Sequence, residues 1–150
     1  MGYIIKKQIM TESQLKQKVK NQFKSHAHVQ SIETTTGNGV PDLNICMSRF
    51  DFWVELKVDT GKGTLLRKEQ RVWMYERMKQ GGTCFVLSYN IECGLVVIYS
   101  GVSRIMVNNK KTVVPISCEK YSKYFKVTEQ QFMVCKLNEL YETFNQLLNN

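Results

Sequence analysis

The fold is decided by residues 41–58, which read Pro41-Asp42-Leu43-Asn44-Ile45-Cys46-Met47-Ser48-Arg49-Phe50-Asp51-Phe52-Trp53-Val54-Glu55-Leu56-Lys57-Val58. Side chains two apart on a strand share a face. Phe52, Val54, Leu56 and Val58 therefore form one apolar row, and Glu55 and Lys57 project together on the other side. The alternation fits a half-buried strand. The same period runs through residues 43–47, so the stretch predicts a hairpin turning around Ser48-Arg49. Met47 then faces Phe50, Ile45 faces Phe52 and Leu43 faces Val54, all on one face. A slip of one residue would break every apolar pair. Ser-Arg is not a favoured tight-turn pair, so a longer loop with the same centre fits equally well.

Continuing that count places Asp42 opposite Glu55. Directly paired residues hold their Cβ atoms about 4.5–5.5 Å apart. Two carboxylates at that spacing repel unless a cation sits between them. Hard oxygen ligands of this kind suit Mg²⁺ or Mn²⁺, leaving positions for water and phosphate. The Lys57 ammonium can hold an attacking water or offset charge on a phosphorane. Phosphodiester hydrolysis asks little more of a protein. Taken singly, a Glu-x-Lys is as a rule an exposed ion pair worth little, and a Pro-Asp after glycines is a turn. Their shared face and joint spacing set this stretch apart.

Outward from the hairpin, Thr11-x-x-Gln14 is a capping box that opens a first helix at about Thr11. Leu15, Val19, Gln22 and Phe23 mark one of its faces. Residues 28–36 read as a strand, with a turn at Gly37-Asn38-Gly39. Residues 59–64 are a glycine-containing loop, and residues 65–80 a helix stopped by Gly81-Gly82. Residues 83–89 and 95–100 are strand candidates, and residues 104–116 short strands with a turn at Asn108-Asn109. A second capping box, Thr128-x-x-Gln131, predicts a last helix striped by Met133, Leu137, Leu140, Phe144 and Leu148. The order α-β-β-β-α-β, with extra C-terminal strands and a closing helix, means a mixed α/β domain.

At 150 residues, with 43% hydrophobic and 23% charged residues, the chain suits one globular domain over residues 1–150 and excludes wholesale disorder. No run reaches the roughly 18 apolar residues of a membrane span. The first residues show no signal-peptide pattern, so a cytoplasmic protein is expected. The formal net charge of +8 suits an anionic partner, nucleic acid above all. The five cysteines include no Cys-x-x-Cys pair, and His26 and His28 are the only histidines. A disulfide framework and a zinc knuckle are thereby disfavoured, and reduced thiols are expected.

Several motifs then fall in order: Gly39-Val40-Pro41-Asp42-Leu43, Trp53-Val54-Glu55-Leu56-Lys57, Leu66-Arg67-Lys68-Glu69-Gln70, and Gly81-Gly82 before a strand. Over about residues 11–90 the chain resembles the PD-(D/E)XK nuclease superfamily, and within it the stand-alone VRR-NUC domains of phages. The resemblance implies a restriction-endonuclease-like mixed sheet flanked by helices, with residues 91–150 as an elaboration. It implies metal-dependent DNA cleavage, with Asp42, Glu55 and the Leu56 carbonyl as ligands of Mg²⁺ or Mn²⁺ and Lys57 as the catalytic lysine. Glu12 matches a first-helix glutamate that many members add to the metal site, and equally reads as a carboxylate favoured by a helix N-terminus. Gln70 shares a helical face with Leu66 and Trp73 and needs a polar partner. The resemblance points it at the active site, whereas by itself it also reads as a boundary residue bonded to backbone. The related exonucleases place a tyrosine four residues after this glutamine, where this chain has Met74.

Lys62, Arg67, Lys68 and Arg71 follow the Glu-x-Lys strand and are candidate DNA contacts. Lys6, Lys7 and the first-helix lysines form a second basic group, and Arg104, Lys110 and Lys111 a third; each also reads as a solvated face. Phosphate contacts position DNA without reading its sequence, and no groove-reading motif is evident. The expected activity is a Mg²⁺-dependent endonuclease selective for branched DNA such as Holliday junctions, working as a homodimer. The alternatives are a related nuclease acting on flaps, nicks or ends, and a non-catalytic DNA-binding module on the same fold.

Overall fold

The computed structural model of the chain describes residues 9–33, 39–61, 64, 66–100, 104–107, 110–113 and 132–149. Lys6, Lys7, the Gly37-Asn38 and Asn108-Asn109 turns, Lys62 and the Thr128–Gln131 capping box lie outside them. Helix α1 spans Glu12–Phe23. Its capping box is complete: Thr11 Oγ1 accepts from the Gln14 N–H at 3.1 Å, and Gln14 Oε1 accepts from the Thr11 N–H at 3.0 Å. Leu15, Val19 and Phe23, four residues apart, are its buried stripe.

Strand β1 (His28–Ser31) pairs antiparallel with β2 (Leu43–Met47), and β2 with β3 (Phe50–Asp59). The hairpin register is the one set by the apolar alternation: Leu43 faces Val54, Ile45 faces Phe52 and Met47 faces Phe50. The turn is the tight one. Ser48 and Arg49 both take left-handed backbone, with φ of 52° and 70°. A two-residue turn of that hand matches the twist of paired strands, which is why it persists without the usual glycine.

Helix α2 (Lys68–Lys79) carries the chain over to β4 (Cys84–Asn90), which lies parallel to β3. The helix starts three residues later than its pattern suggested. Thr64 and Leu66 are buried in the preceding segment, and Arg67 is extended at the N-cap. The helix ends in a Schellman motif: the Gly81 N–H reaches the Met78 carbonyl at 3.0 Å and the Gly82 N–H reaches that of Arg77 at 2.9 Å. Gly81 has the left-handed φ, 92°, that this motif requires.

Strand β5 (Leu95–Ser100) follows antiparallel, and β6 (Arg104–Val107) and β7 (Lys110–Val113) form a separate two-stranded sheet. Strand β8 (Phe132–Lys136) then pairs with β5, and a single 3₁₀ turn (Leu137–Glu139) leads into α3 (Leu140–Leu148). This corrects the expected last helix, which was to run through these residues. Residues 133–136 alternate in burial, with Val134 exposed and Cys135 buried, which is the strand period. Met133 and Leu137 pack on the same core as Leu140 and Phe144, but from different elements. Apolar residues four apart thus imitated a helix.

The main sheet has the order β1-β2-β3-β4-β5-β8, and only β3–β4 is parallel. One face packs against α1 and α3, with Phe23, Phe52, Phe85 and Phe144 in edge-on and stacked contact. The other face meets α2 through Leu66, Met74, Cys84, Val86 and Tyr99. The mixed α/β class read from the element order, and the restriction-endonuclease-like sheet that the resemblance implied, are thus the architecture found. Among the described residues no helix is long and apolar enough to cross a membrane.

Candidate active site

Covering both faces changes the setting of Glu55. Its strand is not half-buried: α2 lies over the Glu55 side, and Glu55 is only 2% exposed. A charged carboxylate there loses its hydration. Burial, foremost, and the neighbouring Asp42 charge push the Glu55 carboxyl up from 4.5 to about 9; Lys57 opposes the rise and Glu12 adds weakly to it.

Four of the expected site residues come together. The Asp42 carboxylate accepts from the Leu56 N–H at 2.9 Å, at the point where the β2–β3 ladder ends. Glu55 projects from the same stretch of β3. Lys57 Nζ lies 3.8 Å from Glu55 Oε1 and is 13% exposed. Gln70, 5% exposed, reaches down from α2 and donates through Nε2 to Glu55 Oε1 at 3.0 Å. Its own Oε1 accepts from the Arg67 N–H at 2.9 Å. The carboxamide therefore has a fixed orientation, with oxygen to the helix start and nitrogen to the carboxylate. It forms the reciprocal half of a capping box that Arg67, which has no acceptor, cannot complete. Gln70 thus does both things expected of it: it points at the candidate site and it bonds to backbone.

Gly39 explains why the Pro-Asp segment and α2 stay in register. Its φ is 74°, and a Cβ there would collide with the Glu69 carbonyl group and lie 2.6 Å from the Gln70 nitrogen. Only a glycine lets the backbone leading to Asp42 run against the first turn of α2.

Glu55 Oε2 is buried and has no hydrogen-bond partner. A buried polar atom without a partner costs free energy and calls for an explanation. A hard divalent cation fits this donor set: two adjacent carboxylates, one with an oxygen left free in the interior. Among the described residues no three His, Cys, Asp or Glu side chains converge tightly enough to form a metal cluster. Any ion here would rest on the Asp42–Glu55 pair, backbone and water. Glu12 is exposed in the first turn of α1. Its charge is felt at Glu55, and no hydrogen bond joins the two.

Of the expected DNA contacts, Arg67 and Lys68 are exposed at the N-terminal end of α2. Arg71 is half-buried and donates from Nη1 to the Leu66 carbonyl at 2.7 Å, bracing the turn into the helix. A further group went unnoticed in the sequence. Trp53, on the Glu55 side of β3, meets Trp73 of α2 edge-on, with ring centroids 5.0 Å apart. The Arg77 guanidinium lies 5.4 Å from the Trp53 ring centroid and 5.7 Å from that of Trp73. Trp53 was legible only as part of its motif. Arg77 could not be found until α2 was docked on the sheet.

No family model matches the chain, and no curated protein matches it by sequence. Among solved structures, it is similar to that of Hjc, a Holliday junction resolvase from the archaeal hyperthermophile Archaeoglobus fulgidus. The two share 10% identity with a TM-score of 0.54, over 69% of this chain and 87% of that one. The fold that holds Asp42, Glu55, Lys57 and Gln70 together is therefore similar to the fold of that resolvase.

Proposed function

We propose that this chain is a divalent-metal-dependent DNA endonuclease of the VRR-NUC type that cleaves branched DNA such as a four-way junction. The observation that carries the reading is the buried, unpartnered oxygen of Glu55 between Asp42 and Lys57. Asp42, Glu55 and the Leu56 carbonyl, with Glu12 at the margin, would hold Mg²⁺ or Mn²⁺. Such an ion supplies Lewis-acid polarisation of the phosphate and a more acidic bound water. Lys57 Nζ, 3.8 Å from Glu55 Oε1, would offset charge gathering on the phosphate oxygens. Gln70 holds the Glu55 carboxylate in one rotamer through its bond to Oε1.

The substrate class is supported by the net charge of +8, by the exposed Arg67 and Lys68, and by the likeness to a junction resolvase. Lys62 and Arg71 complete the proposed DNA contacts. A homodimer with two-fold symmetry suits a four-way junction, which presents equivalent strands.

The test offers a four-way junction, a flap, a splayed end and linear duplex with Mg²⁺, Mn²⁺ or EDTA. Wild type is expected to cut the junction only with metal. Lys57→Ala is expected to lose about a hundredfold or more in rate while still binding. Unchanged turnover in Lys57→Ala would sink the assignment. Binding without any cutting would make the chain a DNA-binding module on a nuclease fold.

A further inference from the structure

Arg77 is an exposed arginine whose placement the fold has already fixed. Its guanidinium rests within cation–π distance of two tryptophans. Its stem is walled by Gly82, where a Cβ would lie 2.7 Å from Arg77 Cγ and 2.8 Å from its carbonyl oxygen. No carboxylate pairs with it among the described residues. The side-chain entropy that a surface arginine loses on gripping a ligand is here largely lost already.

The surroundings indicate what it grips. A groove of about 1370 Å³ runs along α2 from Arg67 and Lys68 to Arg77 and is walled by Trp73. Glu69 and Glu76 also line it, so three cations face two carboxylates. Trp53, on which Arg77 rests, is two residues before Glu55 on the same strand face. That is about 6.7 Å along the strand. Two base-pair steps rise about the same distance along a duplex axis. The tryptophans thus seat a positive group beside the strand that carries Glu55.

We infer that Arg77, carried on Trp53 and Trp73, is a DNA-backbone contact that grips a phosphate close to the one being cleaved. This rests on the proposed nuclease reading and extends it to a residue outside the metal site. Guanidinium forks match phosphate oxygens, and such a contact positions a strand without reading its sequence.

The test measures junction binding by the Lys57→Ala protein, alone and combined with Arg77→Ala, Arg77→Met or Arg77→Lys, over a range of salt. Arg77→Met keeps the stem on the tryptophans and removes the charge, so it serves if Arg77→Ala fails to fold. Thermal melts verify folding of each variant. Removing the charge is expected to weaken binding about fivefold or more, by the same factor on unrelated sequences, and to lower the slope of log K against log salt by about one. Arg77→Lys is expected to keep the slope and recover only part of the affinity. If the Lys57→Ala parent binds and a folded Arg77→Met binds equally well with the same slope, the contact is refuted and the nuclease reading stands. If the parent binds no DNA, both are refuted.

Discussion

Glu55 is where the proposed metal site and stability pull against each other. With its carboxyl raised from 4.5 to about 9, the folded protein holds a proton there that the unfolded chain has released. Between those values the native state binds more protons, so stability falls as pH rises through the window. Glu55→Gln carries no such proton and can still accept from Gln70. In EDTA its stability, read from thermal melts, is expected to exceed that of wild type by a margin that widens from about pH 5 to about pH 8, on the order of a few kcal/mol at the upper end. Added Mg²⁺ is expected to raise the wild-type melting temperature and leave the variant unmoved. Parallel melting curves across that range would show that burial does not govern Glu55. The side-by-side projection of Glu55 and Lys57 was readable from strand period alone. The burial of Glu55 was not, because the alternation on β3 is silent about what covers its second face.

At the scale of elements, the β2–β3 hairpin was legible to the residue because six apolar side chains, in three facing pairs, agree on one register. Its turn was not, because Ser48 and Arg49 adopt a backbone that their side chains disfavour. Arg49→Gly removes that strain and is expected to stabilise the protein by about 0.5–1 kcal/mol, measured by denaturant midpoint at constant slope. A lower midpoint would mean that the arginine side chain makes a compensating contact. Helix α2 was located only approximately, since Val72, Trp73, Met74 and Tyr75 are consecutive and apolar. Met74 is buried, Trp73 half-buried, and Val72 and Tyr75 exposed. Such a run has no single apolar stripe, so only docking on the sheet reveals which side faces inward. The start of α3 was misplaced for a related reason: a strand followed by a helix can mimic helical spacing across their junction.

Across the whole molecule, the order of elements apart from β8 could be read from turn residues and period, and so the class of fold followed. The arrangement of layers could not, because it depends on β4 lying parallel to β3 rather than on any local pattern. That pairing has a consequence for the order in which the chain organises itself. The β2–β3 and β4–β5 pairs join neighbours through tight connections and can close early. Trp53 meets Cys84, 31 positions onward, only after α2 has crossed over. Parallel pairing of this kind closes a large loop, and contacts distant in sequence form slowly. Pulse-labelled hydrogen exchange during refolding is expected to protect hairpin amides before those linking β3 to β4; simultaneous protection would contradict it. Gln70 and the cover over Glu55 arrive with that last step. A chain still being synthesised therefore has its acidic residues but no assembled centre, and whatever that centre does must wait until folding is complete.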